Sequence, residues 1–320
     1  MASPRPAAIR ATTRRDIVRR PTEAELIAAR VLLTPWQWVT APRFYGLERV
    51  PRDRPVLFVG NHTMMGVLDP PLLVMALHDQ CGVFVRPLGD HLHFRIPLWR
   101  DLLARFGTVD GTRENCRALM RAGESILVFP GGGREVFKRR GERYQLIWKQ
   151  RMGFARLAIE HGYTIVPFAA VGADDCFDII VDGDDLLRTP LGRLIQEVSP
   201  EPDAIPPLVR GLGPTPLPRP ERFYFWFGKP IETRRLRGRE QDDAVCFAVR
   251  ERVRRAVQMG MATLLAARSQ DPDRDLQTRL VHRLQALAGD VLDSVVPGSR
   301  AAIRNGRPRR TAASGRRSRR

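Results

Sequence analysis

Apolar runs and helical repeats alternate through the middle of the chain. The runs that favour strands are VLFVG (56–60), GVFVRPL (82–88), SILVFPGGG (125–133) and TIVPFAAVG (164–172), and the segments with helical spacing lie at 70–78, 99–107, 117–123 and 154–162. This alternation predicts an α/β fold with a mostly parallel sheet flanked by helices. Because the loops at the carboxyl ends of parallel strands meet at one edge, we expect the loops after Gly60, Phe129 and Val171 to lie together.

An amphipathic helix is predicted before this region, over residues 22–40. Thr22 and Glu25 have capping-box spacing, in which each side chain bonds to the backbone amide of the other residue. Pro35 is expected to break the helix and Pro42 to end it. The residues after the cap form an apolar stripe with two aromatics, namely Leu26, Ile27, Leu33, Trp36 and Trp38. Such a helix either packs on the domain or lies at a membrane interface with its tryptophans at headgroup level.

The carboxyl-terminal part begins with a proline-rich segment. Residues 200–220 hold eight prolines, which predicts a long irregular insertion that acts as a lid or contacts a surface. FYFWFGKPI (223–231) predicts a strand, and apolar residues at helical spacing from Cys246 to Leu265 predict a long helix. The predicted organisation is a basic disordered arm (1–21), a main domain (22–274), a further helix (275–296) and an Arg-rich disordered tail (297–320).

Positive charge is concentrated at the two ends of the chain. The 320 residues are 43% hydrophobic and carry a formal net charge of +18. Six Arg against one Asp in residues 1–20, and nine Arg without an acid in residues 300–320, supply 14 of these charges. Arms of this composition attract polyanions, either anionic lipid or nucleic acid. A specific nucleic-acid partner is not expected, because the arms lack interleaved aromatics and the rest of the chain has no nucleic-acid-binding signature.

Cysteine usage and hydropathy exclude further classes of protein. The four cysteines are far apart and in no metal-ligand spacing, so we expect packed thiols, a reducing compartment, no metal and no bound cofactor. No window reaches the roughly 18 apolar residues of a membrane span, and the amino terminus has no apolar core before a small-residue cleavage site. If the protein works at a membrane, we expect it to lie on the surface.

His62 follows the strand predicted at 56–60, in a loop that also contains Asp69. A loop histidine is by itself more often a structural residue than a catalyst, although its ordinary pKa of about 6.5 suits a general base. Asp69 precedes two prolines, which is also the pattern of a helix N-cap followed by proline in the first turn. Two interpretations of Asp69 therefore stay open: a partner of the His62 ring or a helix cap.

Two later segments have the residue types that bind an anion. In FPGGGREVF (129–137), three consecutive glycines follow a strand, where backbone N–H groups can converge on an oxyanion, and Arg134 adds a positive charge. GTVDGTR (107–113) places Arg113 after another glycine-led run. Each segment alone is equally typical of an ordinary turn, and the glycine run lacks the Lys-Ser/Thr ending of a Walker motif.

Taken together and in this order, the segments resemble the glycerolipid acyltransferase superfamily, which includes the 1-acylglycerol-phosphate acyltransferases. The matching blocks are Asn61-His62 with Asp69, Gly107 to Arg113, Phe129 to Arg134, and IVPF at 165–168. A closer likeness is to the branch of the plant phytyl ester synthases and the diacylglycerol-acyltransferase-like protein of animal membranes. That likeness is carried by residues 129–175, which include GERYQL, and the resemblance covers about residues 25–270.

The resemblance implies an O-acyltransferase that moves a fatty acyl group from acyl-CoA or acyl carrier protein, as co-substrate, to a lipid hydroxyl. His62 would be the general base, with Asp69 orienting its ring, and the enzyme would be peripheral on the cytoplasmic side of an anionic membrane. The implied substrate-binding residues are Asn61, Gly107, Arg113, Phe129, Pro130, Gly131, Gly132, Gly133, Arg134, Glu135 and Pro167. Among these, the glycine amides would stabilise the oxyanion, and Arg113 and Arg134 would hold phosphate.

The sequence departs from the superfamily pattern at two places. Six residues separate His62 from Asp69 where the superfamily usually has four. Gly131 stands where the usual block has glutamate, so that any role of this glutamate is absent or falls to Glu135. The missing glutamate favours a neutral acceptor, such as diacylglycerol or a long-chain alcohol, over a lysophospholipid or 1-acylglycerol-3-phosphate. A non-catalytic lipid-surface protein is the alternative from another class, whereas a serine hydrolase is excluded because no Gly-x-Ser-x-Gly elbow is present.

Overall fold

The computed structural model describes residues 19–190 and 205–295. The chain divides into two compact units, Met1–Asp271 and Pro272–Arg320. Most of the amino-terminal arm and the whole Arg-rich tail, both predicted to be disordered, lie outside the described residues. The predicted site and all the strands in the described residues belong to the first unit.

The first unit is built on a seven-stranded sheet with the order β1-β9-β6-β2-β5-β3-β4. Every neighbouring pair is parallel except β6 with β9, which confirms the predicted mostly parallel sheet. The strands are β1 Arg43–Tyr45, β2 Val56–Gly60, β3 Val85–Gly89, β4 Val109–Asp110, β5 Ser125–Val128, β6 Thr164–Val171 and β9 Tyr224–Phe227, with β7 Asp178–Val181 and β8 Leu208–Arg210 forming a separate antiparallel pair. The strands predicted from apolar runs are β2, β3, β5, β6 and β9.

Helices flank this sheet, and a further helix lies in the described part of the second unit. They are α1 Glu23–Thr40, α2 Pro70–Cys81, α3 His91–Arg95, α4 Pro97–Arg105, α5 Arg113–Arg121, α6 Gly132–Val136, α7 Gly153–His161, α8 Gly183–Leu187, α9 Asp243–Ser269 and, in the second unit, α10 Leu276–Val295. The helices predicted from apolar spacing are α1, α2, α4, α5, α7, α9 and α10. The three five-residue helices α3, α6 and α8 are too short to produce a helical pattern.

Side chains from alternate positions of β2 enter two separate apolar layers. Leu57 and Val59 pack with residues of α5, α7 and α9 on one face of the sheet. Val56 and Phe58 pack with residues of α2 and with a cluster of phenylalanines on the other face. All five residues of β2 are buried, as is typical of a central parallel strand covered by helices on both sides. The loop that follows β2 therefore starts from a rigid position.

Helix α1 begins with the predicted capping box and differs from the prediction at Pro35. Thr22 and Glu25 make both reciprocal hydrogen bonds of the box. The helix was expected to break at Pro35, but it continues through this residue to Thr40. Proline removes the hydrogen bond to the carbonyl of Val31, and Val31 is 68% exposed, so water can solvate this carbonyl. The exposed turn thereby tolerates the proline.

The two tryptophans of α1 have different environments. Trp36 donates a hydrogen bond from Nε1 to the carbonyl oxygen of Leu68 at 2.9 Å and packs edge-on against Phe223. Trp38 is 48% exposed. One side of α1 therefore packs on the domain, and exposed apolar side chains remain elsewhere on the helix: Ile27, Val31, Leu32 and Trp38.

The proline-rich segment is more regular than predicted. Only residues 205–220 of it are described, and Leu208–Arg210 form β8, which pairs with β7 in antiparallel orientation. The segment is anchored by Ile205, whose side chain is buried and whose carbonyl oxygen accepts a hydrogen bond from Arg139 at 3.3 Å. The two prolines before β8 precede the strand and so do not remove a ladder hydrogen bond from it.

The cysteines are packed thiols, as predicted from their spacing. Cys81, Cys116, Cys176 and Cys246 are all free and buried. None of the helices in the described part of the chain combines the length and apolar character that a membrane crossing requires.

Candidate functional site

The loops after β2, β5 and β6 meet at the carboxyl edge of the sheet, as predicted. The ring of His62, from the loop after β2, stacks on the ring of Phe129 after β5, with centroids 4.0 Å apart and planes 16° apart. Asp174, after β6, accepts a hydrogen bond from the backbone N–H of Met64 at 2.7 Å. Three loops that are distant in sequence therefore form one cluster around His62.

The His62 ring is tightly packed in its loop. Nδ1 is enclosed and has no hydrogen-bond partner among the described residues. Gly66 lies against the ring, and a Cβ at this position would come within 2.6 Å of His62 Cε1. Burial, followed by the nearby positive charge of Lys138, lowers the pKa of His62 to about 3. The imidazole is therefore neutral at physiological pH, the state in which Nε2 can accept a proton.

Asp69 is neither a ring partner of His62 nor a side-chain helix cap. One carboxylate oxygen accepts a hydrogen bond from the Thr63 hydroxyl, and the other is buried without a partner among the described residues. Asp69 occupies the N-cap position of α2, but its side chain makes no capping hydrogen bond. No hydrogen bond or ion pair within residues 19–190 and 205–295 joins it to His62. Burial raises the pKa of the Asp69 carboxyl to about 6.

The longer spacer explains why the expected dyad is not formed. Between His62 and Asp69 the chain makes a turn in which Gly66, at φ +63°, donates a hydrogen bond to the carbonyl oxygen of Thr63. This turn brings the Thr63 hydroxyl to the carboxylate of Asp69. The orientation of the imidazole is therefore set by stacking on Phe129 instead of by a hydrogen bond to Nδ1.

A buried ion pair fixes the backbone of the His62 loop. Lys138 and Asp174 are both completely enclosed, with Nζ 2.7 and 3.0 Å from the two carboxylate oxygens. The same Nζ donates to the carbonyl oxygen of His62 at 2.8 Å, and Asp174 also accepts from the backbone N–H of Met64 and of Tyr144. Charge-assisted bonds of this kind are strong where water is excluded. The pair therefore clamps the loops after β2, β5 and β6 together.

The glycine run lies beside His62 but offers fewer free amides than predicted. Gly131 is the N-cap residue of α6. The N–H of Gly132 donates to the carbonyl oxygen of Phe129 at 3.1 Å, so it is not available to an oxyanion. On the other side of the run, Arg151 Nη1 donates to the carbonyl oxygens of Pro130 at 3.3 Å and Gly131 at 2.9 Å. The Gly132 amide is therefore removed from the predicted oxyanion donors, and the roles of the Gly131 and Gly133 amides stay a prediction.

Glu135 fills the space that a side chain at Gly131 would need. A Cβ on Gly131 would lie 2.1 Å from Glu135 Oε2. Glu135 is fully buried, its Oε1 accepts from the backbone N–H of Ile147 at 3.4 Å, and its Oε2 has no partner among the described residues. Burial raises the pKa of this carboxyl to about 7. The glutamate expected at 131 is thus replaced in space by a carboxyl group four residues later.

The two arginines expected to hold phosphate have different environments. Arg134 makes a two-pronged ion pair with Glu142, at 2.9 Å from Nη1 and 2.6 Å from Nη2. Its charge is therefore already compensated. Arg113 is exposed at the first residue of α5 and has no hydrogen bond or ion pair with another described residue. Of the two, Arg113 is the one whose charge is available to a ligand.

Three other predicted substrate-binding residues have structural roles. Both polar groups of the Asn61 side chain bond to the backbone of Ala170 in β6, at 2.9 and 2.8 Å, and the residue is 1% exposed. Pro167 is buried in the middle of β6, opposite Val59. Gly107 lies two residues after the end of α4 and has φ +88°. In contrast to the prediction, the side chain of Asn61 has no polar group left for a substrate, since it braces two neighbouring strands.

Sequence reasoning did not identify the Lys138–Asp174 pair. Lys138 stands in the basic run KRR and Asp174 in the acidic pair DD, and both patterns are typical of solvated surfaces.

Among the described residues, no group of His, Cys, Asp and Glu side chains has an arrangement that could hold a metal ion.

Comparisons with known proteins match this site to a family. Residues 41–171 match the family model Acyltransferase. Over 255 residues the chain is 33% identical to Phytyl ester synthase 1, chloroplastic, of Arabidopsis thaliana, a match that covers 75% of this chain and 36% of the relative. Over 123 residues it is 32% identical to the human DGAT1/2-independent enzyme synthesizing storage lipids, covering 38% of this chain and 37% of the relative.

A likeness to one solved structure is weaker. The chain resembles the 1-acyl-sn-glycerophosphate (LPA) acyltransferase PlsC from Thermotoga maritima with a TM-score of 0.43 and 15% identity, covering 79% of this chain and 86% of that one. The chain spans about a third of the length of the plant relatives. The match covers 36% of Phytyl ester synthase 1, chloroplastic, and 36% of Phytyl ester synthase 2, chloroplastic.

Proposed function

From the premise that residues 41–171 form an acyltransferase domain of the glycerolipid acyltransferase superfamily, we propose that this protein is an enzyme that transfers a fatty acyl group from a thioester donor to a lipid hydroxyl. The observation that carries the proposal is the position of the His62 ring, stacked on Phe129 at the shared edge of three loops, beside the glycine run. The donor is acyl-CoA or acyl carrier protein.

In the proposed mechanism, His62 Nε2 takes the proton of the acceptor hydroxyl while the hydroxyl oxygen attacks the thioester carbonyl carbon. The tetrahedral intermediate collapses by breaking the C–S bond, and the thiolate receives the proton from the imidazolium. The products are an ester and a free thiol, with no covalent enzyme intermediate. General acid–base catalysis of this kind contributes about 10²–10⁴-fold to a rate.

Two features of the site support this chemistry. The backbone amides of Gly131 and Gly133 are the donors of the glycine run that remain for the oxyanion, and each such donor is worth about 3 kcal/mol of transition-state stabilisation. The His62 ring is held beside this run by its stacking on Phe129, the residue that directly precedes Pro130.

A neutral acceptor is the proposed substrate class. The matched relatives are named for phytyl ester synthesis and for storage-lipid synthesis, and both names describe esters without a charged headgroup. The pairing of Arg134 with Glu142 supports the same proposal, because it neutralises one of the two arginines that a phosphorylated acceptor would be expected to use. We therefore expect diacylglycerol or a long-chain alcohol to be a better acyl acceptor than lysophosphatidate.

An acyl-transfer assay with a panel of acceptors tests this function. The purified protein is supplied with radiolabelled acyl-CoA and with monoacylglycerol, diacylglycerol, lysophosphatidate or a fatty alcohol, and labelled esters are separated by chromatography. We expect product with a neutral acceptor, and a slower reaction with lysophosphatidate. If no acceptor is acylated from acyl-CoA, the assay is repeated with acyl carrier protein, and failure with both donors contradicts the proposal.

The proposed location is the surface of a membrane, on the cytoplasmic side. Exposed apolar side chains lie on α1 and on α4, including Leu32 at 71% and Leu98 at 87% exposure. The two helices are joined at one end by an ion pair between Arg105 and Glu25 at 3.4 Å. Apolar side chains on short helices, with arginines beside them, bind interfaces of anionic lipid.

Removal of two of these side chains should weaken membrane attachment. In the variant Leu32→Glu/Leu98→Glu we expect at least a fivefold lower bound fraction on neutral phosphatidylcholine vesicles, because two apolar contacts of roughly 2 kcal/mol each are replaced by charges. Vesicle pelleting measures the effect. Met259→Glu, at a 59% exposed position of α9, is the matched control, and equal losses in both variants would show that α1 and α4 are not the attachment surface.

A further inference from the structure

A second histidine stands at the same edge of the sheet as His62. Helix α3 begins at His91, two residues after β3 ends at Gly89, and this helix contains His93. Strand β5 lies between β2 and β3 in the sheet, so the carboxyl ends of β2 and β3 are about 10 Å apart at the usual spacing of neighbouring strands. His62 follows the end of β2 by two residues, and His93 follows the end of β3 by four.

Helix α3 is packed onto the strand that precedes it. A Cβ on Gly89 would come 3.0 Å from the ring of Phe94 and 3.2 Å from the side chain of Thr108. The carbonyl oxygen of Gly89 accepts a hydrogen bond from the N–H of Gly111 at 2.9 Å. Side chains of α3 and of the segment before β4 therefore cover the end of β3, and the backbone that carries His93 is held at the sheet edge.

The His62 ring lies over the strand between the two histidines. It stacks on Phe129, the residue that directly follows β5, with ring centroids 4.0 Å apart. The pKa of His62 is lowered first by burial, then by Lys138 and then by His93, and a ring makes such a contribution only when it is close. Sheet geometry and electrostatics thus both place His93 next to His62.

A tryptophan fixes the tautomer of His93. Trp99 of α4 donates a hydrogen bond from Nε1 to His93 Nδ1 at 3.1 Å, and the ring centroids are 6.2 Å apart. Because an indole N–H can only donate, Nδ1 is the accepting nitrogen, and the single proton of the neutral imidazole is then on Nε2. His93 is half-buried, and its Nε2 has no hydrogen-bond partner among the described residues. His93 therefore presents an N–H donor that no described residue uses.

The glycine run leaves a role for such a donor. The N–H of Gly132 is bonded to the carbonyl oxygen of Phe129 at 3.1 Å, so one of the three glycine amides is not available to an oxyanion. Negative charge on a carbonyl oxygen is stabilised by preorganised N–H groups, and side chains, including histidine, supply them as well as the backbone does. The Nε2–H of His93 is a group of this kind, in the neighbourhood of the proposed base.

We propose that His93 is a catalytic residue of the acyl transfer, whose Nε2–H donates a hydrogen bond to the thioester carbonyl oxygen and to the oxyanion that this oxygen becomes. The inference rests on the proposed function for its reaction. His93 keeps its proton throughout, since the proton of the acceptor hydroxyl goes to His62 and from there to the leaving thiolate. The electron pair of the C=O bond moves to oxygen during the attack and returns when the C–S bond breaks.

Two amide side chains separate this role from simple packing. Glutamine can place its amide N–H where His93 has Nε2–H, whereas the shorter asparagine reaches only the position of Nδ1, where it can accept from Trp99. His93→Gln therefore keeps the proposed donor, and His93→Asn keeps the contact with α4 without this donor. We expect both variants to melt within a few degrees of the wild type.

The rate of acyl transfer should follow the Nε2–H group. In single turnovers with a neutral acceptor, we expect His93→Asn to be about 100-fold slower than the wild type, the usual effect of removing one oxyanion donor. His93→Gln should recover most of this loss. The hexadecyl thioether of the active donor has no carbonyl oxygen, so calorimetry should show equal affinities for the wild type and His93→Asn.

The matched control is His91→Asn, on the same helix. His91 is exposed and pairs with Asp110 at 2.6 Å. We expect its transfer rate to stay within twofold of the wild type. A loss as large as in His93→Asn would show that the effect comes from disturbing α3, and would overturn the assignment of His93.

Infrared spectroscopy tests the contact without any acyl transfer. Palmitoyl-CoA or palmitoyl-acyl carrier protein, labelled with ¹³C at the thioester carbonyl, is bound to the full chain with no acceptor present. A hydrogen bond weakens the C=O bond, so the bound carbonyl should absorb at a lower wavenumber than the free thioester. We expect this shift to persist in His93→Gln and to be reduced in His93→Asn.

The carbonyl shift separates this inference from the proposed function. Equal shifts in the wild type and His93→Asn, together with an unaltered transfer rate, contradict the role of His93 and leave the enzyme in place. A shift that depends on His93, in a protein that acylates no acceptor, supports the contact and contradicts the proposed function. The inference is also overturned if neither thioester binds, or if His93→Gln melts like the wild type and is as slow as His93→Asn.

Discussion

Replacing His62 with alanine is expected to lower the rate of acyl transfer by about 10²–10⁴-fold, the usual contribution of a general base. The variant should remain folded. The loop is held by Lys138, which bonds to the backbone carbonyl of residue 62 and not to the imidazole, so this contact survives the substitution. The loss is limited to the stacking on Phe129, which is worth about 1 kcal/mol. Single-turnover assays with the acceptor found above, and thermal melts, measure the two quantities.

The matched control for this prediction is His78→Ala. His78 lies in the last turn of α2 and its side chain pairs with Asp79, away from the glycine run. We expect its transfer rate to stay within twofold of the wild type. A His62→Ala protein that melts like the wild type and keeps its transfer rate would show that the proton is taken by another group, and the mechanism proposed here would then be incorrect.

The scaffold of this site was predictable from the sequence because it depends on apolar patterning. The run VLFVG coincides with β2, since all five residues of that strand are buried between two helical layers. The same reasoning brought the loops after Gly60, Phe129 and Val171 to one edge. It failed for β7 and β8, because an exposed two-stranded sheet needs no continuous apolar run and β8 directly follows prolines.

The polar contacts within the site were less predictable, because they depend on which charged groups are enclosed. The motif predicted that Asp69 pairs with His62, but the Asp69 carboxylate accepts a hydrogen bond from the Thr63 hydroxyl instead. Arg134 was predicted to bind a phosphate, but its guanidinium forms an ion pair with Glu142, eight residues later in the chain. Neither partner has a sequence signal of its own. Glu135, predicted as a possible substitute for the missing glutamate, does lie against Gly131, and its role stays a prediction.

Breaking the Lys138–Asp174 pair is the second change from which we expect a large effect. Lys138→Met leaves the carboxylate of Asp174 enclosed without its cation, and such a loss typically costs about 3–5 kcal/mol of the free energy of unfolding. The His62 carbonyl also loses its donor, so the loop should shift and acyl transfer should fall at least tenfold in protein that is still folded. Urea unfolding, monitored by tryptophan fluorescence, measures the first effect, and transfer assays well below the melting temperature measure the second.

A double substitution shows whether the two groups act as a pair. In Lys138→Met/Asp174→Asn no buried charge is left alone, so we expect a smaller destabilisation than the sum of the two single variants, by at least about 1 kcal/mol. This variant should therefore fold even where the single one does not, yet its transfer rate should stay low because the His62 carbonyl is still without its donor.

The matched control is Arg117→Gln. It breaks an ion pair whose side chains are 32% and 25% exposed, and should cost about 1 kcal/mol or less of the free energy of unfolding. If Lys138→Met costs no more than Arg117→Gln, or if the double variant transfers acyl groups at the wild-type rate, the buried pair does not position His62. The enclosure of both charges, at 1% and 0% side-chain exposure, and the bond from Lys138 to the His62 carbonyl oxygen are the physical reasons to expect the opposite.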